Sequence, residues 1–173
     1  RDRQEHWYVD KLLIGDAHSD NAYAGTTGAE VVPYETNSIE GSNSVLKRDW
    51  DRFLGDIAVA NRIIVGCIQL HAHSESERGK YQSQAKIFRA MVMFDMVRLW
   101  GNFPVITTVG GDITEDNVEE MYPTYFPPQN TAEEAYAQIE KDLTEAVENP
   151  NTPTNDTSDK SILTKSVARA MLV

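Results

Sequence analysis

The segment from about Tyr81 to Trp100 constrains the fold more than any other part of the chain. Ala85, Phe88, Val92, Met96 and Leu99 form a stripe at spacings of three and four, while Met91, Met93, Phe94, Val97 and Trp100 cover much of the remaining circumference. A helix that is apolar on most sides has to lie between other helices, because a surface helix keeps one polar face for water. In such a core, truncating Phe88 to Ala is expected to cost about 3–5 kcal/mol. Gly101 supplies a residue free to take positive φ just past the helix end, and Pro104 blocks continuation.

Other segments repeat the helical pattern. From Lys47 to about Ala72, Trp50, Phe53, Leu54, Ile57, Ala58, Ile64, Val65 and Ile68 make one broad apolar face. Asn61 falls on that face, either as a buried amide bonding neighbouring backbone or as a ligand contact. The apolar run Val9 to Ile14, closed by Gly15, reads as the tail of an earlier helix. Thr131 and Glu134 form a capping box that opens a further helix with the stripe Tyr136, Ile139, Leu143, Ala146 and Val147, stopped by Asn149-Pro150. After a polar loop over 149–160, a last helix starts near Thr164 and runs through Val167, Ala168, Ala170 and Met171.

The connections are unequal. His71 to Gly79 is polar and breaks the helical pattern. Residues 15–46 hold Gly15, Gly25, Gly28, Gly41 and Pro33 among many Ser and Thr, a density of turn-formers that no 3.6-residue period survives. Residues 105–130 form a second long connection, with Val105–Val109 extended enough for a short strand, and Gly110-Gly111, Pro123, Pro127 and Pro128 punctuate the rest. The expected fold class is therefore mainly all-α, with amphipathic helices paired by loops. No self-similarity at a 34-residue period is evident.

Charge and cysteine content remove several function classes. The 173 residues carry a formal charge of −11, which argues against nucleic acid as a partner, because phosphate backbones are held by Lys and Arg. The acidic excess is concentrated after residue 100 and reads as a solvated surface, not as a binder of anionic membranes. No run approaches 18 consecutive apolar residues. A single cysteine, Cys67, excludes an internal disulfide framework and any multi-cysteine zinc site. The chain opens at Arg1 without Met and stops at Val173 within an apolar-rich stretch. It reads as a piece, or the mature product, of a longer chain.

Catalytic signatures are missing: there is no G-x-S-x-G, Walker loop, H-E-x-x-H or G-x-G-x-x-G. Three patterns could touch a cation: His71-x-His73, Asp16-x-His18-x-Asp20, and Asp112, Thr114, Asp116 and Glu119. The first sits at a helix end where residues two apart diverge. The second reads as a solvated loop, and the third lacks the EF-hand order and its central Gly. No cofactor and no metal site is expected. Asn155-Asp156-Thr157 matches a glycosylation sequon by pattern.

The 16–46 loop is the more suggestive region, because long loops inside compact domains tend to carry function. It offers Asp20, Asn21, Tyr23, Tyr34, Asn37 and Asn43. Sugars need this chemistry, an aromatic face for their C–H surface with carboxylates or amides for vicinal hydroxyls. An ordinary polar loop has the same composition.

Five stretches, in order, resemble the SusD/RagB family of Bacteroidetes outer-membrane glycan-binding lipoproteins. They are Ser19-Asp20-Asn21-Ala22-Tyr23; Trp50-x-x-Phe53-x-x-x-Ile57-x-x-x-Asn61-Arg62-Ile63-Ile64; and Ala85-x-x-Phe88-Arg89-Ala90-x-x-x-Phe94-Asp95-Met96-Val97-Arg98-Leu99-Trp100-Gly101-Asn102-Phe103-Pro104. The helix opened by Thr131, with Ile139, Asp142, Leu143 and Ala146, and Thr164-Lys165-x-x-Ala168-Arg169-Ala170 complete the set.

The resemblance implies a SusD-like scaffold of tetratricopeptide-like helix pairs with long irregular loops, of which residues 1–173 would be the N-terminal portion of a single domain. It implies a non-catalytic protein that captures an oligosaccharide or polysaccharide and delivers it to a SusC-like TonB-dependent transporter. It further implies a surface-exposed lipoprotein of the outer membrane. The anchoring cysteine and signal peptide would lie outside this chain, since Cys67 is mid-helix and cannot stand in. Binding carries over by motif to Asp20, Asn21 and Tyr23; Tyr34, Asn37 and Asn43 are added by their chemistry. The competing reading is a helical protein-interaction scaffold with no glycan site. A glycosidase would need a carboxylate pair fixed across a cleft.

Overall fold

The computed structural model describes residues 5–19, 21–69, 73–111, 113–155 and 158–173. The backbone is helical almost throughout its regular part. Glu5–Val9 and Leu13–Ala17 are π-helical stretches flanking a single α-turn, Asp10–Leu12, and the three run on as one helical segment, α1. It is followed by α2 (Val32–Glu35), α3 (Ser44–Gln69), α4 (Glu75–Trp100), α5 (Val118–Tyr125), α6 (Ala132–Glu148) and α7 (Lys165–Met171). No strand occurs among the described residues; one isolated antiparallel bridge joins Phe103 and Asn130. No described helix is long and apolar enough to cross a membrane.

The chain divides into two compact units, Arg1–Gly55 and Asp56–Val173. In the first, α2 packs against the end of α1. The opening turns of α3 hold α1 through Phe53, whose ring meets His6 and Trp7 edge-on at 5.2 and 5.7 Å. Gly15 does not end the first helix as expected. It takes no positive φ, and the helical backbone continues to Ala17. Pro33, counted among the turn-formers of the 15–46 loop, instead helps to open a helix. It stands in the first turn of α2, where its missing N–H would have had no partner.

In the second unit α6 packs against α4 and α7 against α6. Ile87, Met93, Met96 and Leu143 are fully buried. Phe88 keeps partial exposure, so the large truncation cost expected of it belongs to these neighbours instead. The stripe of α3 is likewise rotated: Ala60 and Cys67 are buried, while Ala58 and Ile68 are exposed.

Helix ends follow local chemistry. Gly101 closes α4 at φ 73°, its N–H donating to the Val97 carbonyl at 2.9 Å. Thr131 and Glu134 form the expected reciprocal box: the Glu134 N–H donates to Thr131 Oγ1, and the Thr131 N–H donates to Glu134 Oε2 at 2.9 Å. Thr131→Ala is expected to destabilise the protein by about 1 kcal/mol in urea unfolding.

A second box was not anticipated. Ser74 and Glu77 cap α4, which therefore starts six residues earlier than periodicity suggested and carries Gly79 inside it. That glycine has a packing reason: a Cβ there would sit 2.8 Å from Asn151 Nδ2. The strand expected over 105–109 does not form. Its carbonyls are taken by a side chain instead, Asn61 Nδ2 donating to Ile106 O at 2.9 Å and to Thr108 O at 3.3 Å. Asn61 is thus the buried backbone-bonding amide of the simpler reading.

Candidate functional site

The first unit contains an open cavity of about 540 Å³, within the ~300–1,000 Å³ range of small-ligand sites. Its apolar lining comes from Val9, Leu12, Leu13 and Ala17 on α1, together with Val31 and Val45. Its polar groups are Glu5, Asp10, Arg48, Asp16, Asn21, Tyr23, Thr26 and Glu30.

α1 sets one side through an ion pair. Arg48 Nη2 donates to both carboxylate oxygens of Asp10 at 2.8 Å, and Asp10 is 2% exposed. Arg48 and Arg52 also reach Glu5, at 3.5 and 3.0 Å. Burial works against the Arg48 charge, but the bond to Asp10 and its negative charge more than offset this and raise the guanidinium further.

Behind this pair lies Asp49, fully buried, with no donor to either carboxylate oxygen. Burial first, then the neighbouring Asp10, pushes its carboxyl up to about 8 against the opposing arginines. Near neutral pH Asp49 therefore keeps its proton. The same burial, with Asp49 and Asp10 nearby, pushes the Tyr34 phenol up to about 12.

The loop is folded by its own hydrogen bonds. The Asn21 and Ala22 N–H groups and the Ser19 hydroxyl donate to the Asp16 carbonyl, at 3.1–3.2 Å. Asn21 Nδ2 donates to Ser19 Oγ at 2.9 Å. The Ala24 N–H donates to Glu35 at 3.3 Å.

The six residues singled out from the sequence separate by position. Asn21 and Tyr23 line the cavity, Tyr23 with 78% of its surface exposed. Tyr34 is fully buried, its hydroxyl 3.5 Å from Asn43 Oδ1. Asn43 caps α3, accepting from the Val45 and Leu46 N–H groups while its Nδ2 donates to the Glu30 carbonyl. Asn37 is exposed and takes a left-handed φ of 52° at a turn, a conformation that Asn tolerates better than most side chains. Asp20 lies outside the described residues.

Asp16 and the Asp10–Arg48 pair were not selected by composition; Asp16 appeared only in a cation pattern. Each of the three cation patterns includes a residue outside the described set: His71, Asp20 or Asp112. Among the described residues no group of three or more His, Cys, Asp or Glu could hold a metal ion. In the sequon, Asp156 and Thr157 are also outside it, while Asn155 Oδ1 accepts from the Thr164 hydroxyl at 2.8 Å. An aromatic ring that shares a cavity with amide, carboxylate and apolar groups suits a neutral ligand rich in hydroxyls.

No protein-family model matches the chain. A SusD-like protein of Bacteroides ovatus is 26% identical over 162 residues, covering 92% of this chain and 27% of that protein. The fold matches a laminarin-binding SusD-like protein with a TM-score of 0.76 at 23% identity, covering 97% of this chain and 35% of the other. Surface glycan-binding protein A from Bacteroides fluxus gives 0.75 at 23% identity, covering 95% and 33%. A structure described with a xylogluco-oligosaccharide gives 0.68 at 22%, covering 96% and 30%. The chain thus spans between about a quarter and about a third of the length of these relatives.

Proposed function

We propose that this chain, SusD-like in sequence and in fold, belongs to a surface component of a nutrient-uptake system that captures oligosaccharide without cleaving it. On this reading it passes the sugar to a SusC-like TonB-dependent transporter at the outer membrane, where a lipid anchor outside residues 1–173 holds it. Those residues are the N-terminal portion of one longer SusD-like domain. Relatives named for laminarin binding and for surface glycan binding support the ligand class.

The observation that carries the reading is the Tyr23 ring, largely exposed at a cavity that also presents Asn21 and Asp16. A pyranose laid on that ring would bury its C–H face and direct its hydroxyls to the amide and carboxylate. Such contacts are individually weak, so micromolar-to-millimolar affinity is expected.

The test is calorimetric titration of the full-length soluble protein with a panel of oligosaccharides, with chromatography of the mixture for products. Saturable binding without cleavage is expected, and Tyr23→Ala should weaken it by about tenfold, or ~1.4 kcal/mol. Unchanged affinity in that variant would move the site away from this cavity. Appearance of a cleavage product would overturn the non-catalytic reading.

A further inference from the structure

The surface of α5 bears a ridge that nothing in the glycan reading uses. Val118, Tyr122 and Phe126 follow one another at four-residue intervals and are 45%, 58% and 66% exposed. The Tyr122 and Phe126 rings stack on each other, centroids 4.7 Å apart and planes at 29°. Another face of α5 is already occupied. The Tyr125 hydroxyl donates to the Gly111 carbonyl at 2.6 Å, and its ring closes on Gly110, where a Cβ would be 3.0 Å away. Met121 lies against Gly111 in the same way, at 3.4 Å. That face of α5 holds the backbone at 110–111, and the described residues leave the ridge exposed.

The stretch of chain that bears the ridge carries one sign of charge. Residues 99–140 contain no Lys, Arg or His. Glu115, Asp116, Glu119 and Glu120 are exposed and lie on or beside α5. None of them forms an ion pair among the described residues. A second copy of the same surface would bring like charges together, and an anionic membrane would be repelled. A guanidinium group meets both requirements, since its plane lies flat on an aromatic face while its N–H fork pairs with a carboxylate.

We propose that the Val118–Tyr122–Phe126 ridge docks a basic segment of another protein, one that places arginine on the Tyr122–Phe126 pair beside an apolar side chain. Glu119 and Glu120 supply the countercharge. The surface lies in the second unit and does not depend on the Tyr23 cavity, so this reading and the glycan reading fail independently.

The test is fluorescence anisotropy of the full-length protein with a labelled Arg-Leu-Arg-Trp-Arg-Leu peptide, and with the same peptide carrying Gln for each Arg. The Arg peptide is expected to saturate and to bind about tenfold more tightly than the Gln peptide, with affinity falling as salt rises. Tyr122→Ser with Phe126→Ser should weaken binding by about tenfold. Glu119→Lys, which keeps both rings and guards against a misfolded ridge, should weaken it by a similar factor. No saturable binding, equal binding of the two peptides, or wild-type affinity in the ridge and Glu119 variants would overturn the proposal. So would Tyr122-dependent self-association in sedimentation velocity, which would assign the ridge to a second copy.

Discussion

Asp142→Ala will destabilise the protein by about 3–5 kcal/mol, several times the cost of Thr131→Ala. Asp142 is fully buried on α6, and Arg89 on α4 is 4% exposed. The guanidinium donates from Nε and Nη2 to the two carboxylate oxygens at 2.7 and 2.6 Å, and from Nη1 to Asn61 Oδ1 at 2.7 Å. Gln138 Nε2 completes the shell of Asp142 at 3.0 Å. Removing the carboxylate strands a cation where water does not reach, and that stranded charge is the source of the cost.

The paired charges themselves contribute much less. Arg89→Met together with Asp142→Leu should therefore recover most of the loss, as apolar replacement of both members of a buried pair often does. Urea unfolding of the two single variants and the double variant measures this directly. A cost for Asp142→Ala no greater than that of Thr131→Ala would mean that water reaches the guanidinium.

The second large effect is a pH dependence centred on Asp49. The folded protein keeps a proton on this carboxyl up to about pH 8, whereas the unfolded chain releases it near the ordinary value of 3.8. Between those limits the folded state holds one proton more than the unfolded state, so stability falls as pH rises, by up to about 1.4 kcal/mol per pH unit. The contribution is fully present below about pH 4 and is lost by the time the pH has passed the folded value. Asp49→Asn keeps the size of the side chain and cannot ionise. The variant should match wild type below about pH 4, exceed it increasingly in thermal stability as the pH rises to about 8, and keep a constant lead above that. A difference that stays constant with pH would show that Asp49 is ionised in the folded protein.

How far these features could be read in advance depended on the distance over which their causes act. The Thr131–Glu134 cap, the Gly101 stop and the Asn149-Pro150 end are written within four residues, and each helix boundary fell where they put it. The start of α4 was equally local, but Ser74 and Glu77 stand in a run of polar residues that composition marks as a break. Arg89 and Asp142 both lie in stretches that resemble the SusD/RagB scaffold, yet they are 53 positions apart and no periodicity joins them.

The loop shows a different limit. An Asn that could bond a sugar can equally cap a helix, and Asn43 does the latter by accepting from Val45 and Leu46. A Tyr offered as a stacking face can instead be enclosed, as Tyr34 is, and only the three-dimensional packing separates it from Tyr23. The helix α5 was hidden by Pro123, read as punctuation although it sits within the helix.

The bridge between Phe103 and Asn130 ties the long excursion between α4 and α6 at its neck. Asn130 donates its N–H to the Phe103 carbonyl at 3.0 Å, and its side chain accepts from the Val105 N–H at 2.9 Å. The described residues between Gly110 and Gln129 therefore hang from a closed base while Asn61 pins the carbonyls at 106 and 108. Lengthening such a closed excursion is inexpensive, about 0.6 kcal/mol for each doubling. Outside α5, the stretch is thus the place where a short epitope tag is expected to be carried with α4 and α6 still folded, as urea unfolding of the tagged protein would show.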